Sequence, residues 1–270
     1  MSPRTVEAYV SYVAALARHY RCSPERLSDD QLRDYLLFLH QQKRLAPNSL
    51  NVAVSSFRFF YTHVLRRSVD YLIHLLPRVR KATLRPQVYS RQQIALLLDL
   101  GCRQPKHRVL LMTVYSAGLR LNEACHLQPV HIDSARMCIR VEQGKGRKDR
   151  YTLLSRRLLD ELRIYWRQYR PQQWLFFGRD RSQPLLDATA QKIFYAAVAR
   201  AKLPDRGGIH CLRHSFATHL LEDGVDLFTL KRLMGHASIA TTGTYLHVGR
   251  EHLAQVRSPL DEPRTPPVTP

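Results

Sequence analysis

Six residues in the second half of the chain carry side chains that could do chemistry together: Arg120, Lys145, His210, Arg213, His236 and Tyr245. They supply cations to hold an anion, imidazoles to move protons, and a phenol to serve as an oxygen nucleophile. His210 and Arg213 stand three apart in His-Cys-Leu-Arg-His, a spacing that puts both on one face of a helix. Taken singly, each has an ordinary reading: the histidines as caps or satisfied partners, Tyr245 as core, Arg120 as an ion pair with Glu123. A metal site is not expected. His214 and His219 are five apart, off the i, i+4 geometry of a zinc-binding helix, and no acidic cluster offers hard oxygen ligands. Nor is there a phosphate-binding loop for a nucleotide, so no cofactor is expected.

The elements that must position these residues follow from periodicity and punctuation. Ser2-Pro3 opens a helix with Val6, Tyr9, Val10, Val13 and Leu16 on one stripe, and Ser28 with Gln31 forms a capping-box signature for the next. A third helix starts with Pro47 at its first position and is predicted to run to about Leu65. Its apolar stripe is Leu50, Val54, Phe57 and Tyr61, leaving Asn48, Asn51, Ser55 and Arg58 on a polar face. From Leu76 to Val88 the pattern fails in a basic, proline-bounded stretch that reads as a linker.

Beyond it, Ser90 and Gln93 cap a helix ending near Gly101, and a buried helix follows from about His107 to Ala117, broken by Gly118 just before Arg120. Two β-prone pieces, Arg136 to Val141 and Asp149 to Leu154, flank a basic turn over residues 143–148. Helices are then predicted over Arg156 to Tyr169, Asp187 to Arg200, His210 to Glu222, Asp226 to Met234 and Ser238 to His247. Gly243 lowers helix propensity by about 1 kcal/mol relative to Ala and would let the Tyr245 segment move. A tail with five prolines after Arg257 is expected to be flexible.

Composition narrows the substrate. With 42 Lys plus Arg against 22 Asp plus Glu the formal net charge is +20, and only eight of the 42 are lysine, leaving 34 arginines. Such a charge repels itself unless polyanions cover it, and the arginine fork grips phosphate oxygens bidentately, so nucleic acid is the expected partner. The five cysteines are scattered singly without metal or disulfide spacing, which fits a reducing cytoplasm. No apolar run approaches the roughly 18 to 20 residues that span a bilayer, and no signal peptide is apparent. A cytoplasmic protein, nucleoid-associated when on DNA, is expected.

The full set of motifs adds more than its parts: Ala-Gly-Leu-Arg-Leu-Asn-Glu-Ala at 117–124, Gly-Lys-Gly-Arg-Lys-Asp-Arg at 144–150, His210-x-x-Arg213-His214, and Leu-Met-Gly-His at 233–236 with Tyr245 nine residues on. In these the chain resembles the tyrosine recombinases, or phage integrases, particularly Xer-like and transposon-borne members. Ser2-Pro3-Arg4-Thr5-x-x-x-Tyr9 resembles the start of that family's core-binding helices, so the likeness covers nearly the whole chain.

The resemblance implies a mostly α fold with a small β-sheet, arranged as a two-domain DNA clamp. Residues 1–78 would form a helical core DNA-binding domain, 79–88 a basic linker, 89–257 an α+β catalytic domain and 258–270 a proline-rich tail. It implies a site-specific recombinase that cleaves and rejoins DNA through a 3′-phosphotyrosine, without metal or nucleotide. By the same resemblance all six residues take catalytic positions. Arg120 and Arg213 would hold the charge that develops on the phosphate, and Tyr245 would attack. His210 is the preferred proton acceptor, and Lys145, with Lys148 as fallback, would protonate the departing 5′ oxygen. His236 would donate to a non-bridging oxygen, and Glu123 would orient Arg120. Asn48, Asn51, Ser55, Arg58, Arg147 and Lys148 are the expected DNA contacts.

The implied target is double-stranded DNA with inverted half-sites, bound by self-associating protomers that form a tetramer in the synapse, with a second recombinase as a possible partner and mobile-element DNA as the favoured context. Two features depart from the pattern: the helix that usually precedes the segment resembling Ser2 to Tyr20 is not seen, and a proline-rich tail follows residues 249–256, the segment expected to dock on a neighbouring protomer. The competing readings are a type IB topoisomerase, a DNA-binding accessory protein without catalysis, and an RNA-binding protein, for which no aromatic RNA-binding strand or Gly-x-x-Gly clamp is present.

Overall fold

A computed structural model describes residues 1, 3–67, 86–142 and 149–245, and the chain divides into two compact units, Met1–Leu84 and Arg85–Pro270. The described residues of the first unit contain helices α1 (Pro3–Tyr20), α2 (Asp29–Gln41) and α3 (Pro47–Phe59). Ser28 caps α2 reciprocally with Gln31, as its spacing predicts. Leu16, Leu32, Tyr35, Leu39, Leu50, Val54 and Phe57 close a single apolar core. The third helix departs from expectation in its last turn. After Phe59 the backbone widens to a π-helical turn over Phe60–Val64, which keeps Tyr61 buried and lets its hydroxyl donate to the Pro24 carbonyl.

The second unit begins its regular structure with α4 (Arg91–Asp99), capped by Ser90 and Gln93, and α5 (Pro105–Ser116). Helix α5 starts two residues earlier than periodicity indicates because Pro105 presets the first-turn dihedral and has no N–H to leave unsatisfied. Val109 to Val114 are all buried, making α5 the central helix of a core shared with α7 (Arg156–Tyr169) and α8 (Asp187–Arg200). A short α6 (Leu121–Cys125) follows the Gly118 turn.

The sheet has three antiparallel strands in the order β1 (Ile132–Asp133), β2 (Cys138–Val141) and β3 (Arg150–Leu153). The hairpin pairs Ile139 with Thr152 and Val141 with Arg150. Strand β1 escaped the sequence reading because two residues carry no periodicity. The remaining helices among the described residues are α9 (His210–Glu222), α10 (Leu227–Met234) and α11 (Ile239–Gly243). Helix α11 ends at Gly243, the residue of lowest helix propensity in the segment, rather than continuing as predicted, so Tyr245 sits just past a helix end. Residues 246–247 of the predicted helix, the segment at 249–256 and the tail lie outside the described residues, as do linker residues 79–85.

Candidate active site

The site is assembled where α5, α6, β3, α9 and the C-terminus of α10 meet. Gly118 takes a left-handed φ of +60°, and a Cβ there would lie 2.3 Å from the Phe216 ring, so only glycine makes this turn. The turn delivers Arg120 as the residue before α6, where its backbone N–H donates to Glu123 Oε2 at 2.8 Å and its Nη1 to Oε1 at 2.7 Å. Glu123 therefore fixes both the backbone and the guanidinium of Arg120.

Helix α10 ends by presenting three successive carbonyls, and an arginine takes each one. Arg150 Nε donates to Leu233 O at 2.9 Å, Arg213 Nη2 to Met234 O, and Arg120 Nη2 to Gly235 O at 3.0 Å. The last carbonyls of a helix have no partner within it and carry its negative pole, so they are natural anchors for guanidiniums. Gly235 closes the helix at φ +62°, and a Cβ there would lie 2.7 Å from Arg150 Cδ. This accounts physically for the glycine of Leu-Met-Gly-His.

Glu123 sits among the same cations. Arg150 binds it bidentately at 2.8 and 2.7 Å, and Arg213 Nη1 lies 3.8 Å from it while also donating to the Gly118 carbonyl. Burial would raise the Glu123 carboxyl, but the hydrogen bonds and charge of Arg150, with the bonds from Arg120, hold it at about 2. Burial, reinforced by the charge of Arg120, lowers Arg213 to about 10, which leaves it cationic at neutral pH. One carboxylate against three guanidiniums leaves a positive surplus suited to a phosphodiester anion.

The imidazoles and the phenol border this cluster. His210 opens α9, with its side chain exposed at one side; crowding by the protein, then the charges of Arg213 and Arg120, hold it below its ordinary value. His236 is lowered to about 4 by burial and then by Arg213, Arg120 and Arg150, and its Nδ1 lies 2.9 Å from the Thr242 hydroxyl. Its ring is parallel to that of Tyr245, with centroids 6.4 Å apart. Tyr245 is 3% exposed and packs with Phe216, Ala217, Leu230 and Met234. Burial raises its hydroxyl, while Arg213 and Arg120 pull it down.

Five of the six residues are thus brought together: Arg120, His210, Arg213, His236 and Tyr245. Lys145, Arg147 and Lys148 lie outside the described residues, although β3, which follows their turn, begins at Arg150 inside the cluster. Glu123 stands beside Arg120 as expected from its position one turn on. On α3, Asn48 is exposed and Asn51, Ser55 and Arg58 are half-buried on the face away from the core, with the Ser55 hydroxyl donating to Asn51 O at 2.7 Å.

Two residues of the site were not singled out from sequence. Arg150 ends a basic motif, and its meeting with Glu123 joins positions 27 apart. Spacing tests His214 only against metal-ligand geometry, yet its Nδ1 lies 2.8 Å from the Tyr245 hydroxyl. The imidazole touching that hydroxyl is therefore His214 rather than His210, and the signal available in the sequence was its i, i+4 relation to His210.

The chain matches the model of the phage integrase family over residues 88–252 and that of the phage integrase N-terminal SAM-like domain over residues 1–71. It belongs to the phage integrase family. Members are tyrosine recombinases, enzymes that cleave and rejoin DNA, in agreement with the activity expected from the motifs. An integrase/recombinase of Sinorhizobium fredii is 40% identical over the whole of this chain and 87% of its own length. The tyrosine recombinase XerA of Thermococcus kodakarensis is 32% identical over 97% of this chain and 91% of its own. Among solved structures, the Tn1549 transposon integrase in complex with circular intermediate DNA superposes with a TM-score of 0.73 over 95% of each chain at 18% identity, which shows the shared fold. The mostly helical architecture with a small sheet agrees with expectation. No helix among the described residues is long and apolar enough to cross a membrane.

Proposed function

We propose that this integrase cleaves DNA by attack of Tyr245 on a backbone phosphate, forming a 3′-phosphotyrosine that a second 5′ hydroxyl then resolves. The observation that carries this reading is the pairing of a buried phenol with two guanidiniums, Arg120 and Arg213, each anchored to a carbonyl at the end of α10. Donors held by such anchors need little reorganisation as charge develops on the non-bridging oxygens. His210 and His236 donate to those oxygens as neutral imidazoles, and Lys145, with Lys148 as its alternative, protonates the leaving 5′ oxygen. Because the phosphotyrosine conserves the energy of the broken diester, neither nucleotide nor metal is required.

Residues 1–78 serve as the core DNA-binding domain and 89–257 as the catalytic domain, joined by the basic segment at 79–88. Asn48, Asn51, Ser55 and Arg58 read a groove, while Arg147 and Lys148 contact phosphates. The solved complexes of relatives with DNA, including a palindromic site, support inverted half-sites as the target. Four protomers on two duplexes complete the exchange, in the context of mobile DNA, with the segment at 249–256 docking on a neighbour. Deleting the residues after Val248 abolishes cooperative synapsis and spares single-site binding; unchanged synapsis refutes the docking.

The test is trapping on nicked suicide DNA carrying candidate half-sites, with chelator and without ATP. A denaturation-resistant adduct forms with the wild-type chain and vanishes in Tyr245→Phe. Specific binding without any adduct, at sites the protein demonstrably prefers, refutes the catalytic reading.

A further inference from the structure

A nucleophilic phenol must lose its proton as it attacks, and among the described residues the Tyr245 hydroxyl has a close side-chain partner in His214. His214 Nδ1 lies 2.8 Å from Tyr245 Oη, with ring centroids 5.7 Å apart. His214 follows Arg213 directly on α9, so the residue that touches the phenol is held by the same helix that places a guanidinium in the site. We propose that His214 is the proton acceptor for Tyr245, taking the phenolic proton on Nδ1 as the oxygen bonds to phosphorus. The assignment rests on the reading of Tyr245 as nucleophile and replaces His210 in that role.

The Oη–P bond forms and the P–O5′ bond breaks; the phenolic proton goes to His214, and the departing 5′ oxygen takes a proton from the general acid. In rejoining, the incoming 5′ hydroxyl gives its proton to the group that served as general acid, the P–O5′ bond forms as the P–Oη bond breaks, and His214 returns its proton to Tyr245.

The surroundings keep the ring uncharged until DNA is bound. The titratable and charged groups facing His214 are His210 and Arg213 on its own helix, with Tyr245 and His236 on the segment beyond α10. Burial, His210 and Arg213 together lower it to about 4, so at neutral pH the ring is uncharged and has a lone pair available for the phenol. When DNA places a phosphate beside Arg213, the anion offsets that cation and raises the basicity of His214 at the moment a proton must be accepted.

The test is first-turnover cleavage of a suicide half-site by saturating protein, measured from about pH 6.5 to about pH 9.5, below the phenol's ordinary value near 10. His214→Ala is expected to cleave at least about 100-fold more slowly than wild type at neutral pH, with DNA binding unchanged. The deficit narrows as pH rises, because solvent hydroxide substitutes for the missing base. His214→Gln keeps a side chain of similar reach but cannot take up the proton, so it shows the same narrowing deficit if the alanine variant folds poorly. A deficit independent of pH, or wild-type rates in His214→Gln, overturns the proposal and leaves His214 a packing residue. Slow adduct formation on Tyr245 in these variants keeps the nucleophile assignment intact, whereas absence of adduct in the wild-type chain would defeat that earlier reading instead.

Discussion

Helix α9 meets two tyrosines in the same way. Tyr245 Oη lies 2.8 Å from Nδ1 of His214, and Tyr115 Oη lies 2.8 Å from Nδ1 of His219, five residues further along. Burial raises both phenols. What separates them is the charge beyond the pair. Near Tyr115, the cation Arg91 is already matched by Asp223 at 2.7 Å, and Asp223 and Glu222 push the phenol further up. Around Tyr245 the next charges are Arg213 and Arg120, which share a single carboxylate with Arg150 and favour the phenolate. Both tyrosines share a buried Tyr–His contact; the surplus of anchored cations is found beside Tyr245, the proposed nucleophile, and not beside Tyr115.

The largest break in this comparison comes from removing the cation that clamps the shared carboxylate bidentately. Arg150→Ala leaves Glu123 without its bidentate partner in a buried setting, and loss of one member of such a pair costs on the order of 3–5 kcal/mol. Urea denaturation should show that loss, and suicide-substrate cleavage should fall with it because Arg120 loses its fixed carboxylate. Gly235→Ala comes next: the Cβ would meet Arg150 Cδ at 2.7 Å in a left-handed conformation, for about 1–3 kcal/mol of strain. Cleavage should drop more than DNA affinity, a split readable by comparing single-turnover rate with a binding isotherm.

Acid sharpens the same contrast. The Glu123 carboxyl is held at about 2, below its ordinary value of 4.5, so its contribution to stability is present above about pH 4.5 and is lost as pH falls towards 2. A Glu123→Gln variant has less stability to lose over that window, which thermal melts across pH will show. The smallest effect is expected at the other tyrosine. Tyr115→Phe removes one hydrogen bond, for about 1 kcal/mol, and should leave cleavage at wild-type rates; a cleavage defect there would erase the distinction drawn between the two pairs.

Sequence made most of the helices legible because they announce themselves locally, by Ser28 with Gln31, Ser90 with Gln93, and Pro47 at a first turn. The candidate catalytic residues were legible through short motifs, each compact enough to be seen along the chain. What escaped was contact between motifs. Arg150 matters because β3 sets it against Glu123 and Leu233, and nothing within Gly-Arg-Lys-Asp-Arg reveals that. His214 stood in plain view beside Arg213, but only the fold brings Tyr245 onto it rather than onto His210. Similarly, the π-helical turn after Phe59 and the two-residue β1 are too short to leave a period, and α11 stops where Gly243 weakens a helix that spacing alone would have extended.

The most direct test of the account is peptide mapping of the trapped protein–DNA adduct by mass spectrometry. The account predicts a 3′-phosphonucleotide carried by the peptide containing Tyr245 and by no other, with Tyr115 unmodified. A phosphate found on a different residue, or on Tyr115, would contradict the claim that the anchored arginine cluster selects Tyr245 as the nucleophile.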